Sequence, residues 1–178
     1  MLRIWLYLVV AVMSAATPAL ATISGEENPD RKQVRDLVFQ IIDARMKGDA
    51  ERFMSFCAPE IVTYDGTPDD PELWWVEAVG IDSVRAALSQ SIKDEAALFA
   101  KHPDWHRHNE VRHVTTTGDG ALAVSQHFTV VAGAGKGEWV MTGWKTVWTL
   151  RRTNGVWKVI GLMGLDLDQR QSWTIPTE

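Results

Sequence analysis

The chain has 178 residues, of which 46 % are apolar, with nine tryptophans and one cysteine; its 18 Lys+Arg against 23 Asp+Glu give a formal charge of −5. That length and apolar content suit a single domain with its own core. An acidic balance with no clustered basic stretch argues against nucleic acid as a partner, since phosphate binding needs grouped cations, and the lone Cys57 excludes an internal disulfide.

Residues 1–21 read as a secretory signal peptide. Arg3 supplies the positive n-region, the apolar run from Ile4 to Val12 the h-region, and Ala19-Leu20-Ala21 a small-residue cleavage site. The run is short for a membrane span, and Pro18 interrupts the stretch after it. The expectation is a periplasmic or secreted protein that leaves the membrane after signal cleavage, with an uncleaved anchor as the alternative. The mature chain would start at Thr22, with 17 basic and 23 acidic residues.

Residues 22–29 are a polar, flexible arm. Asp30 is then the expected N-cap of a helix whose stripe is Val34, Leu37, Val38, Ile41, Ile42 and Arg45. Gly48-Asp49 ends that helix and caps a second, 50–56, which Pro59 stops. Cys57 lies between Phe56 and Ala58 and reads as a small buried hydrophobe. A short strand, 61–64, leads into Asp65-Gly66, and 66–79 reads as a Pro- and Asp-rich loop carrying Trp74-Trp75. A third helix spans 80–101, periodic in Val84, Ala87, Leu88, Ile92, Ala96 and Phe99. Strands come next near 106–117, 121–132, 138–153 and 156–166, and a polar tail fills 167–178.

Two hairpins define the strand faces. Asn154-Gly155 is a strong two-residue turn signal, because both central positions must tolerate positive φ. With Thr153 opposite Val156, Trp148 would face Gly161, Thr146 Met163 and Trp144 Leu165. One face would then carry Trp144, Thr146, Trp148, Leu150, Trp157, Val159, Gly161 and Met163, a concave apolar surface. In the preceding hairpin, a turn at Asp119-Gly120 would pair Arg112 with His127. His108, Glu110, Arg112, Ser125 and His127 would share one face, and Val111, His113, Leu122, Val124, Gln126 and Phe128 the other, more apolar one. Read plainly, the apolar face is buried and both histidines lie in water.

Helices followed by antiparallel strands read as an α+β domain, with the helices packed on one side of a curved sheet. In order and length the chain resembles the NTF2-like superfamily, in particular its SnoaL-like, scytalone dehydratase-like and ketosteroid isomerase-like branches. The segments that carry the resemblance are KGDAERFMSFCAPEIVTYDG, GIDSVRAAL, the strand pair around TTGDGALAV and the hairpin RRTNGVWKVIG, within residues 30–166. It implies a cone-shaped domain whose sheet wraps a pocket closed by three helices, often as a homodimer through the outer sheet face. It also places a pocket histidine on His108, and turns Ala121, Ala123 and with them His127 inward. The general-base aspartate of the isomerase-like members falls on Asp65, or on Tyr64 one residue earlier.

Several partners in the known catalytic arrangements are replaced. The dehydratase-like Tyr-Asp pair falls on Arg45 and Met46, its second histidine near Gly133 and its strand asparagine near Thr146. The isomerase-like tyrosine falls near Gln40 or Ile41, and Gly161 and Met163 stand where many SnoaL-like chains place histidines. Each replacement removes a group that would hold developing charge or relay a proton. A metal site from His102, Asp104, His106 and His108 is disfavoured because Pro103 breaks the helix between them. No cofactor or metal is expected.

The sequence thus predicts a small hydrophobic ligand in a pocket lined by Tyr64, Trp74, Trp75, Trp144, Trp148 and Met163. Two alternatives stand beside this non-catalytic binding reading. One is a cofactor-independent lyase or isomerase using Asp65 with His108 or His127 as acid and base. The other is a dimeric interaction module.

Overall fold

The computed structural model describes residues 28–67, 70–132 and 138–174. The expected signal peptide, most of the arm and the last four residues lie outside these. Three helices, α1 (Pro29–Met46), α2 (Ala50–Ser55) and α3 (Ile81–Lys101), accompany six strands. These are β1 (Cys57–Thr67), β2 (Asp70–Val79), β3 (His106–Thr117), β4 (Gly120–Ala132), β5 (Glu138–Thr153) and β6 (Val156–Thr174). They form one sheet in the order β2-β1-β6-β5-β4-β3, antiparallel except where β1 meets β6. Among the described residues no helix is long and apolar enough to cross a membrane.

The helices follow the sequence periodicity. In α1, Val34, Val38, Ile41 and Ile42 are buried. Its N-cap is Asn28, not Asp30: the Asn28 side chain accepts from Asp30 N (2.9 Å), and Pro29 opens the helix where no intrahelical N–H is needed. Asp49 caps α2 by accepting from Arg52 N at 2.9 Å. Between them Gly48 takes φ +71°, and a Cβ there would sit 3.0 Å from the Ala96 methyl, so this glycine lets α1 end against α3. Val84 and Ile92 of α3, Phe53 and Met54 of α2, and Leu150, Trp157 and Val159 of the sheet complete one core.

The residues 66–79 read as a loop contain strand β2 instead. It lies at the sheet edge, where a proline such as Pro71 is tolerated because only one side of the strand needs ladder donors. β6 likewise runs past 166 to Thr174, pairing with Glu138.

Both hairpins form, and both registers shift. Asn154 (φ 52°) and Gly155 (φ 77°) make the expected turn, with Thr153 opposite Val156. A bulge then intervenes: Leu150 pairs with Val159 but Thr149 with Gly161, leaving Ile160 as the extra residue. Beyond it Trp148 faces Leu162 rather than Gly161, and Met163 pairs with Val147, which places it on the opposite face from the tryptophans.

The β3–β4 turn is Gly118-Asp119, one residue earlier than expected. Gly118 (φ 57°) occupies the first central position, the glycine-first pattern of a type II′ turn. Arg112 is bulged out between Val111↔Ser125 and His113↔Val124, so Asn109 pairs with His127 and His108 with Phe128.

Candidate functional site

Alternation along β4 selects the interior. Ala121, Ala123, Ser125, His127 and Thr129 are all buried, whereas the residues between them are only partly covered. The apolar face expected to be buried is therefore the outer one. β5 places Trp148, Thr146 and Trp144 beside Ala123, Ser125 and His127, and β3 places Asn109 and Arg107 beside His127 and Thr129. The last turn of α1 adds Arg45 and Met46, and the C-terminal half of α3 adds Glu95 and Phe99. Gly143 permits the close approach of β5 to β4 here, because a Cβ would meet the His127 carbonyl oxygen at 2.8 Å.

An acceptor on one side and a donor on the other fix the direction of the hydrogen bonds. Asn109 Oδ1 can only accept, so His127 Nδ1 carries the imidazole proton and donates to it at 2.8 Å. Nε2 then accepts from the Ser125 hydroxyl at 2.9 Å, with Thr146 Oγ1 farther off at 3.5 Å. The Trp148 indole N–H can only donate, and it donates to Ser125 Oγ at 2.8 Å. Asn109 Nδ2 in turn donates to Met46 Sδ at 2.9 Å. The Trp144 ring stacks on the imidazole, with centroids 5.1 Å apart and planes 19° from parallel. The tautomer is thus imposed by the strands on either side.

A charged cluster adjoins this chain. Glu95 accepts from Arg45 Nε and from the Arg107 guanidinium, both at 2.7 Å. Arg107 lies over the Phe99 ring at 3.4 Å, with its side chain 6 % exposed. Burial lowers the Arg107 pKa, and Glu95 opposes that by favouring the charged form. Burial also pushes the His127 imidazole down from 6.5 to about 4, helped by the Arg45 and Arg107 cations and resisted by Glu95. His127 is therefore neutral near pH 7, with both ring nitrogens engaged by the protein. It is a poor proton acceptor and a rigid part of the wall.

The predicted site residues fall into separate places. His127, Trp144 and Trp148 come together, although Trp148 is 3 % exposed and spends its N–H on Ser125, so it supports the wall from behind. His108 is exposed and pairs with Phe128 on the outer face, away from His127. Asp65 is exposed on β1, which β6 and β5 separate from β4. Tyr64 pairs with Met163 and alternates with the inward, buried Thr63, so both belong to the outer face. Trp75 is 55 % exposed on β2, and the Trp74 side chain lies outside the described residues. Cys57 is buried and its thiol is pushed up to about 12, which makes it inert at neutral pH. Among the described residues no three His, Cys, Asp or Glu side chains converge to hold a metal; His102 instead stacks on Trp105, 4.3 Å between centroids.

Arg107, Asn109 and Glu95 are site residues absent from the sequence-based expectation, which did put Ser125 on the face of His127. The signal for Arg107 and Asn109 is the i, i+2 spacing in His106-Arg107-His108-Asn109, where alternation carries this pair inward and the histidines outward. Two surface grooves, of about 380 and 490 Å³, lie near the Asn154-Gly155 turn. That turn is roughly 30 Å along β5 from Trp144 at the usual strand rise.

A family model described as a SnoaL-like domain matches residues 26–162. No curated protein matches the chain in sequence. Among solved structures, a ketosteroid isomerase-like protein from Erwinia carotovora atroseptica is 14 % identical, covering 80 % of this chain and 100 % of its own, with a TM-score of 0.55. An NTF2-like protein with a cystatin-like fold from Novosphingobium aromaticivorans is 19 % identical over 92 % of this chain and 88 % of its own, also at 0.55. A candidate scytalone dehydratase from the same species is 10 % identical over 84 % and 89 %, at 0.53. At such identities these structures establish the NTF2-like fold alone.

Proposed function

The chain belongs to the SnoaL-like domain family, and from that premise we propose that it is an exported protein that binds a small, largely apolar molecule against Trp144 at the polar end of its interior. The carrying observation is the state of His127: neutral, with Nδ1 donating to Asn109 and Nε2 accepting from Ser125. A general base must offer a free lone pair with a pKa near the working pH. His127 offers neither, whereas a fixed aromatic and imidazole wall suits recognition. Asp65, exposed and three strands away, gives the lyase or isomerase alternative little support. Export would leave Thr22 as the mature N-terminus, which N-terminal sequencing of the protein recovered from the periplasm checks.

The test is quenching of tryptophan fluorescence by small aromatic ligands from about pH 5 to 7.5, a range above the His127 titration. Trp105→Phe serves as the background, since Trp105 stacks on another histidine. Saturable quenching that is flat across this range supports binding by a neutral wall. Saturable quenching that tracks a midpoint inside it, with turnover lost in Asp65→Asn, moves the balance to the enzyme. No saturable quenching by any ligand removes the reading.

A further inference from the structure

The charges at the polar end do not balance. Two guanidinium groups, Arg45 and Arg107, share the single carboxylate of Glu95. Glu95 is 16 % and Arg107 6 % exposed, so the Arg107 charge lies where water screens it poorly, while Arg45 competes for the same carboxylate from the rim.

The hydrogen bonds do not balance either. Among the described residues, the buried side-chain atoms without a partner include Arg107 Nε and Thr129 Oγ1. These two residues are directly paired across β3 and β4, and Thr129 is 5 % exposed. A buried N–H donor on a cation and a buried hydroxyl on the facing residue are both left unmet. Buried polar groups are normally satisfied, and leaving one unmet costs about 1–3 kcal/mol. The Phe99 ring covers the face of the Arg107 guanidinium but cannot accept the in-plane Nε–H. Any oxygen acceptor would answer the hydrogen-bond deficit, and an anionic one would answer the charge of the cluster as well.

We infer that the polar end of the interior is a carboxylate site, in which Arg107 and Thr129 take the carboxylate of a small ligand whose apolar part lies along Trp144. The inference rests on the small-molecule reading above and adds the charge of the ligand. A carboxylate accepts from Arg107 Nε–H and from the Thr129 hydroxyl and neutralises the surplus charge of the Arg45–Glu95–Arg107 cluster. Arg45 (32 % exposed) and Met46 (39 % exposed) form the rim through which it would enter.

Benzoate and benzamide have nearly the same shape and differ in charge, so titrating the full chain with each separates charge from fit. Benzoate is expected to bind about tenfold tighter, the usual advantage of a charge-assisted hydrogen bond. Arg107→Gln should abolish that preference, bringing benzoate down to the affinity of benzamide. Thr129→Val, nearly isosteric and uncharged, should weaken benzoate a few-fold and narrow its advantage over benzamide, and it keeps the inference testable where the arginine variant does not fold. Equal affinity for the two probes, or tighter benzamide, overturns the carboxylate site and leaves the binding reading standing. Saturable binding of neither probe overturns both.

Discussion

The two ends of this interior are held by different physics. Toward the Asn154-Gly155 hairpin the inward residues are Ala121, Leu150, Trp157 and Val159 against Val34, Val38 and Phe53, and contact is made chiefly by volume, with Arg152 over the Trp157 ring at 4.9 Å. Toward the other end the same strands carry Ser125, His127, Thr129 and Trp144, against Arg45, Glu95 and Arg107. There, contact is made by hydrogen bonds whose direction is set from Trp148 through Ser125 and His127 to Asn109. An apolar end tolerates volume-conserving exchange and has little specificity to offer. A polar end with a fixed tautomer and a surplus cation is costly to fold, and that cost is the usual mark of a site shaped for something else.

Changes at the two ends should therefore break different things. The largest effect is expected from Phe53→Ala at the apolar end: Phe53 is 1 % exposed, so urea unfolding should show a loss of about 3–5 kcal/mol, with ligand preference unaltered in the folded fraction. Next is the pH response of the polar end. The folded pKa of His127, about 4, lies below its unfolded value, so the unfolded chain binds a proton that the native state refuses between about pH 6.5 and 4. This contribution is fully present above pH 6.5 and is lost as pH falls through that window. Wild type should lose about 2–3 kcal/mol more than His127→Gln between pH 7.5 and 4.5, measured by paired denaturant melts.

Ser125→Ala sharpens the contrast further. It removes one oxygen, leaves Trp148 Nε1 unpaired and leaves His127 Nε2 with Thr146 Oγ1 at 3.5 Å, for about 1–3 kcal/mol, and it releases Nε2 from its nearer partner. Ring nitrogen shifts of His127 read that release directly. The smallest effect is expected from His108→Ala on the exposed outer face, within about 0.5 kcal/mol and with no change in ligand affinity.

The same contrast separates what the sequence disclosed from what it did not. The helices and five of the six strands could be read, most of them because their periods are regular: Val34, Val38 and Ile41 at helical spacing, and Asn154-Gly155 between alternating strands. β2 was hidden because an edge strand tolerates the prolines and aspartates that otherwise mark a loop. The site was hidden by two local shifts. The bulges at Arg112 and Ile160 each reverse which side chains point inward beyond them, whereas the one-residue move of the Gly118 turn changes partners and leaves the faces as they were. Those shifts carried Met163 outward and Asn109 inward, and left His108 facing water. A pattern rule that buries the more apolar face also failed on β4, where the buried set is Ala, Ala, Ser, His and Thr. Small residues there make room for Trp148 and Trp144 from β5, and the polar ones answer partners on other strands, which no single-strand pattern reveals.

On the binding reading proposed above, a ligand meets the polar end of the interior and not the hairpin end. An NMR titration of the full chain with neutral benzamide tests this, following the indole N–H signals of Trp144 and Trp157 and the ring of His127. Saturable shifts are expected at Trp144 and His127, with Trp157 unmoved. Shifts confined to Trp157, beside the groove of Leu37 and Val156, or no saturable shift at either tryptophan, would contradict it.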